Sequence, residues 1–172
     1  MPNETVDEWL RKPGVTMFVR RSIARCWLEY IREAGCTDIE NTRSVLREVG
    51  DVCYQFLHRT ASACYKVDTK NDQKAVLVYE LFYDAKDQRS VEDCAAFKAE
   101  LRRWAGILRL KNMKFLILSV PIVNAAEVKK LYEGCKEELF EEMKLNTIYR
   151  FDFDAATVED VGLPMDNEKK GA

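Results

Sequence analysis

The stretch "KAVLVYELFYDAKDQRS", Lys74 to Ser90, decides how the chain is read. Its first ten residues are rich in the Val, Tyr and Phe that suit a pleated sheet, yet Glu80 stands at the centre and Asp84 and Asp87 close the run. Side chains alternate along a strand, so Glu80 shares a face with Val76, Val78 and Phe82. A bare carboxylate inside a covered apolar layer would stay protonated or find a cation. Two resolutions are open: a salt bridge to an arginine of the N-terminal helical hairpin, or a face that is only partly covered and so available to a second chain.

Outward from this strand, the pattern alternates between strand and helix. "SVEDCAAFKAELRRWAGILRL" has helical spacing, "KFLILSVPI" is a continuous apolar run of strand length ended by Pro121, "NAAEVKKLYEGCKEELFEEM" is amphipathic, and "TIYRFDFD" alternates in period two. Crossovers of roughly twenty residues suit parallel strands, because the chain must travel back along the sheet before the next strand begins. The expectation is a βαβαβ unit over residues 74–154 with three parallel strands. The apolar continuity of the first two predicts covers on both of their faces.

Before the polar linker "DTKNDQ" the chain reads as helix. "TVDE" at Thr5 to Glu8 is a capping box and Pro13-Gly14 a stop. Val19, Ile23, Cys26, Trp27, Tyr30 and Ile31 recur at helical spacing up to Gly35. "TDIE" at Thr37 to Glu40 repeats the capping pattern, and Val45, Leu46, Val49, Cys53, Phe56, Leu57 and Cys64 then keep one stripe to about Lys66. The fold class expected is α/β, an N-terminal helical hairpin packed on a small three-stranded parallel βαβαβ sheet. Residues 1–161 form one domain, 1–67 helical and 74–154 βαβαβ, with 162–172 a disordered tail.

Composition excludes several chemistries. The 27 basic and 29 acidic side chains nearly cancel, so no whole-molecule field draws the chain onto nucleic acid or anionic lipid. The six cysteines contain no C-x-x-C pair and most fall on apolar helix faces, as free thiols do in a reducing compartment. An acidic N-terminus without an apolar signal segment points to a soluble intracellular protein, cytoplasmic or nuclear. With His58 the one histidine, a metal site built on two histidines of this chain is excluded. Cys53 and His58 lie about 140° apart on a helical wheel, too far for a nucleophile and its base. Phosphate-cradling glycine loops and the nucleophile elbow are missing. No motif is specific enough to name a family.

Three functional readings remain. In open parallel sheets, ligands sit beyond the carboxyl ends of strands. There Asp84, Asp87, Asp152 and Asp154 are candidate ligands for Mg²⁺ in a phosphoryl-transfer or nuclease-like domain, although Asp is also what turns and caps use. Arginine surfaces at Arg21, Arg25 and Arg32, and at Arg102 and Arg103, suit an RNA-binding subunit less well, since acidic residues are as numerous. The reading expected to hold is a non-enzymatic protein–protein interaction module, an adaptor or subunit of an intracellular complex. Its contact residues are Glu80 and those five arginines, its partner is another protein or a second copy, and no cofactor or membrane is involved.

Overall fold

The computed structural model describes residues 4–65, 67, 73–134, 137 and 149–161. Among them α1 (Val6–Arg11), α2 (Met17–Glu33), α3 (Thr42–Glu48), α4 (Tyr54–Cys64), β1 (Ala75–Tyr83), α5 (Gln88–Leu108), β2 (Met113–Pro121), α6 (Ala125–Gly134) and β3 (Thr157–Val161) follow in chain order. This is a mixed α/β fold. The described residues divide into two compact units. One takes the chain to Val78, Ala99–Leu116 and the chain from Asp160, and the other takes Tyr79–Lys98 and Ile117–Glu159. No helix among the described residues is long and apolar enough to cross a membrane.

Local signals act where the chain carries them. Thr5 caps α1 by accepting the Glu8 N–H at 3.2 Å, and Glu8 reciprocates by accepting the Thr5 N–H at 2.8 Å. Gly35 ends the second helix with a φ of 67°, a left-handed conformation that a side chain would resist. The second capping box does not form. The Thr37 hydroxyl donates instead to the Leu108 carbonyl, and α3 is capped by Asn41, whose Oδ1 accepts the N–H groups of Arg43 at 2.9 Å and Ser44 at 3.3 Å.

The single helix expected from Thr37 to Lys66 is two helices. Between them Gly50 and Val52 turn their carbonyls to the N–H groups of Asp7 and Val6, each at 2.8 Å, so the break is where α1 is fastened. Val45, Val49, Val52, Cys53, Phe56 and Leu57 are all buried across it. The apolar stripe therefore records which side faces the core, and it continues through a turn that is not helical. Trp104 of α5, fully buried, donates its indole N–H to the Thr60 hydroxyl at 3.0 Å, and Thr60 donates on to the Phe56 carbonyl at 2.6 Å. Every polar atom of that buried chain is satisfied.

The sheet has the order β1-β2-β3 and is mixed, which corrects the all-parallel expectation. Ala75 N–H bonds to the Asn112 carbonyl at 3.0 Å and Ile122 N–H to the Tyr83 carbonyl at 2.8 Å, so β1 and β2 advance together, in parallel. The chain next meets the sheet at Phe151, in an antiparallel bridge to Ile122, at the carboxyl end of β2. From there it can only run back along β2, which brings Asp160 to Lys114 at 2.9 Å. The expected last strand "TIYRFDFD" contributes that bridge, while the strand itself is β3, six residues further on. Glu159 and Asp160 hid it in the sequence. Each is paired with a lysine, Lys98 and Lys114 respectively. The tail from Gly162 lies outside the described residues.

Trp104 anchors the buried contacts of α4 and α5, so truncating it tests this account. In urea unfolding, Trp104→Ala should lose about 3–5 kcal/mol. Trp104→Phe should lose less, on the order of 1–2 kcal/mol, because Thr60 keeps its bond to Phe56 and only the indole hydrogen bond and some ring area go.

Candidate functional site

Helix α2 packs against α1, α3 and α4 and buries only Ala24, Leu28 and Ile31. Each residue turns the helix by about 100°, so the remaining positions form two further arcs. One holds Arg21, Arg25 and Arg32, and the other Val19, Ile23, Cys26 and Tyr30. Those residues recur at helical spacing in the sequence, and the structure leaves them at the surface. Val19, Ile23 and Tyr30 are 43%, 37% and 50% exposed, and Cys26 is exposed too. Burial goes instead to Ala24, Leu28 and Ile31.

The arginine arc faces α3, which adds Arg43 and Arg47. Two clefts result. A cleft of about 390 Å³ lies among Arg25, Glu29, Arg32, Thr42 and Arg43. Within it the Thr42 hydroxyl donates to Glu29 Oε1 at 2.7 Å and Arg32 pairs with Glu29 Oε2 at 2.6 Å. Together these hold the Glu29 carboxyl below the usual carboxylate range, with the Thr42 hydrogen bond as the largest cause. A second cleft of about 440 Å³ is lined by Arg21, Arg43 and Arg47 together with Leu10, Leu46 and Asp7. Arg43 belongs to both. Among the described residues Arg21, Arg43 and Arg47 make no ion pair.

Arg43 and Arg47 were missed in the sequence, although their four-residue spacing matches that of Arg21 and Arg25. In the sequence Thr37 to Lys66 reads as one helix of a hairpin, whereas Arg43 and Arg47 stand on a separate short helix, α3. On the other flank of α2, Trp27 lies 5.3 Å from Trp9 and 5.0 Å from the His58 ring. Trp9 stacks on Tyr54 at 5.7 Å, with the Arg20 guanidinium 5.3 Å from its centroid. His58 is thus a ring contact of a helix interface.

The acidic strand ends do not converge. Asp84 Oδ1 accepts the Lys86 N–H at 2.9 Å, Asp87 Oδ1 the Arg89 N–H at 3.0 Å, and Asp152 Oδ1 the Ala155 N–H at 3.0 Å. Among the described residues no three His, Cys, Asp or Glu side chains are grouped to hold a metal ion, Asp154 included. Ser90 lies inside α5 and accepts the Asp84 N–H at 3.0 Å. Asn124 directs its Oδ1 to the Arg150 N–H at 2.7 Å, which holds the returning chain beside β2.

Glu80 is exposed. Val76, Val78 and Phe82 on the same side of β1 are each about half exposed, at 51%, 50% and 49%, so this side of the edge strand carries no complete cover, contrary to the two-sided burial expected. Arg103 grips Asp51 with two hydrogen bonds of 2.9 and 2.8 Å, which lowers the Asp51 pKa and raises that of Arg103. Arg102 is exposed on α5. Cys36, Cys53 and Cys64 are buried free thiols and Cys94 is half-buried, while Cys135 lies outside the described residues.

The Glu29 contact sets a pH dependence. A carboxyl held low stabilises the fold above the ordinary carboxylate range, and that contribution is lost as pH falls through the lowered value. Thr42→Val should move the Glu29 pKa upward, part of the way to its ordinary value, because Arg32 remains. An NMR titration of the Glu29 side-chain carboxyl reads this directly, and an unmoved midpoint would assign the shift to the arginines alone.

Comparison with known proteins finds no matching curated protein and no matching solved structure. Residues 1–121, which include both clefts and the exposed arc of α2, match the family model described as Domain of unknown function (DUF6946), and the chain belongs to that family.

Proposed function

We propose that the chain is a non-enzymatic protein–protein interaction module, an adaptor or subunit of an intracellular complex, which receives another protein on α2. The observation that carries this reading is the exposed arc Val19, Ile23, Cys26 and Tyr30, at spacings of four, three and four residues. That spacing is what a facing helix or strand requires of an apolar seam. Fully burying such a side chain is worth about 1.5–3 kcal/mol, so three of them left near half exposure hold back on the order of 2–4 kcal/mol for a partner to realise. The open side of β1 is a second apolar surface of the same character.

The phosphoryl-transfer alternative draws less support. Asp84, Asp87 and Asp152 are engaged by backbone N–H groups of their own turns, the use of Asp that a loop needs.

Replacing Ile23 and Tyr30 by Asp tests the reading. Both side chains are at the surface, so each variant should stay within about 0.5 kcal/mol of the parent in urea unfolding. Quantitative pull-downs comparing parent and variants should show one or more proteins, or a second copy of the chain, depleted at least about tenfold. Identical recovered sets with both variants would overturn it.

A further inference from the structure

We infer that the cleft between α1, α2 and α3 is a docking site for an acidic polypeptide segment carrying an apolar side chain. The apolar side chain sits on Leu10 and Leu46, and flanking carboxylates pair with Arg21, Arg43 and Arg47. This rests on the interaction reading and gives the partner its chemistry.

The cleft's volume of about 440 Å³ is in the range of formed ligand sites, roughly 300–1,000 Å³. Its composition is the complement of such a segment. Leu10 is 5% exposed and Leu46 half-buried, so the floor is aliphatic and already fixed by the core. The three arginines around it stand on two different helices and make no ion pair among the described residues. A guanidinium offers carboxylates a planar, two-pronged fork, and three of them against the single Asp7 leave a local excess of positive charge in a chain of net charge −2. On α2 the arc runs on to Phe18, 80% exposed, one turn before Arg21. A segment lying along the arc therefore meets an aromatic side chain beyond the cleft.

The energetics ask for such a second anchor. Association costs about 4–15 kcal/mol of rigid-body freedom, more than the exposed apolar arc of α2 can return unaided. Nucleic acid fits less well. Single strands are held by rows of aromatic platforms on which successive bases stack, whereas the lining of this cleft is leucine, arginine and aspartate. The adjoining cleft also places Glu29 and Glu40 where a continuous phosphate backbone would pass.

Fluorescence anisotropy of the full chain tests the assignment with four labelled probes: a short Asp/Glu peptide with one central Leu, the same peptide with Ser for Leu, a Lys-for-acid version, and single-stranded oligouridylate. The Leu-bearing acidic peptide should bind best and weaken as salt rises. Arg43→Glu should weaken it by about tenfold or more. Lys129→Glu, a charge control on α6, should leave it unchanged. If Arg43→Glu lowers thermal stability, the double variant Arg21→Ala and Arg47→Ala takes its place. Equal affinity for the Ser-containing peptide, tighter binding of oligouridylate, or indifference to the arginine substitutions each overturns the assignment. Failure here is distinct from failure of the interaction reading: proteins depleted by Ile23→Asp but retained by Arg43→Glu would leave that reading standing and remove this one.

Discussion

The surface chemistry of this chain depends on one constraint: α2 is surrounded by α1, α3 and α4 yet buries a stripe only three residues wide, Ala24, Leu28 and Ile31. A helix has about 360° to dispose of and this stripe uses less than a third of it. Beyond the stripe and the ring contacts of Trp27, much of the helix stays at the surface. One flank presents apolar side chains at the spacing of a helix seam. The other turns its arginines toward α3, where Arg43 and Arg47 complete two clefts.

Where a feature was settled by neighbours in sequence, it was legible. The Thr5–Glu8 capping box, the left-handed Gly35, and the extents of β1, α5 and β2 needed no more than local chemistry and period. Features set by distant parts of the chain were not. Gly50 was invisible as a break because Val49, Val52 and Cys53 stay buried across it, and apolar periodicity reports burial rather than continuity. The direction of β3 depends on where the chain rejoins the sheet. Asn124 fixes that by holding the Arg150 N–H beside the end of β2.

The candidate surfaces were partly legible for the same reason. Arg21, Arg25 and Arg32 could be placed on one side of a helix by counting residues. Which side of the next segment would meet them could not be counted along one long helix, because α3 and α4 are separate. Glu80 was legible as a problem, and the edge position of β1 resolves it: a carboxylate on an open side keeps its hydration and needs no buried partner. Of the acidic residues that suggested a metal site, Asp84, Asp87 and Asp152 each answer a local backbone N–H.

An uncovered apolar arc on α2 is the claim on which the functional account stands, and Cys26 lies in its middle. Native-state alkylation with a small maleimide, followed in time by peptide mass spectrometry, measures it most directly. The account predicts that Cys26 is modified rapidly in the folded, isolated chain, while Cys36, Cys53 and Cys64 wait on unfolding. A Cys26 as slow as the three buried thiols would contradict it, because the arc would then already be covered.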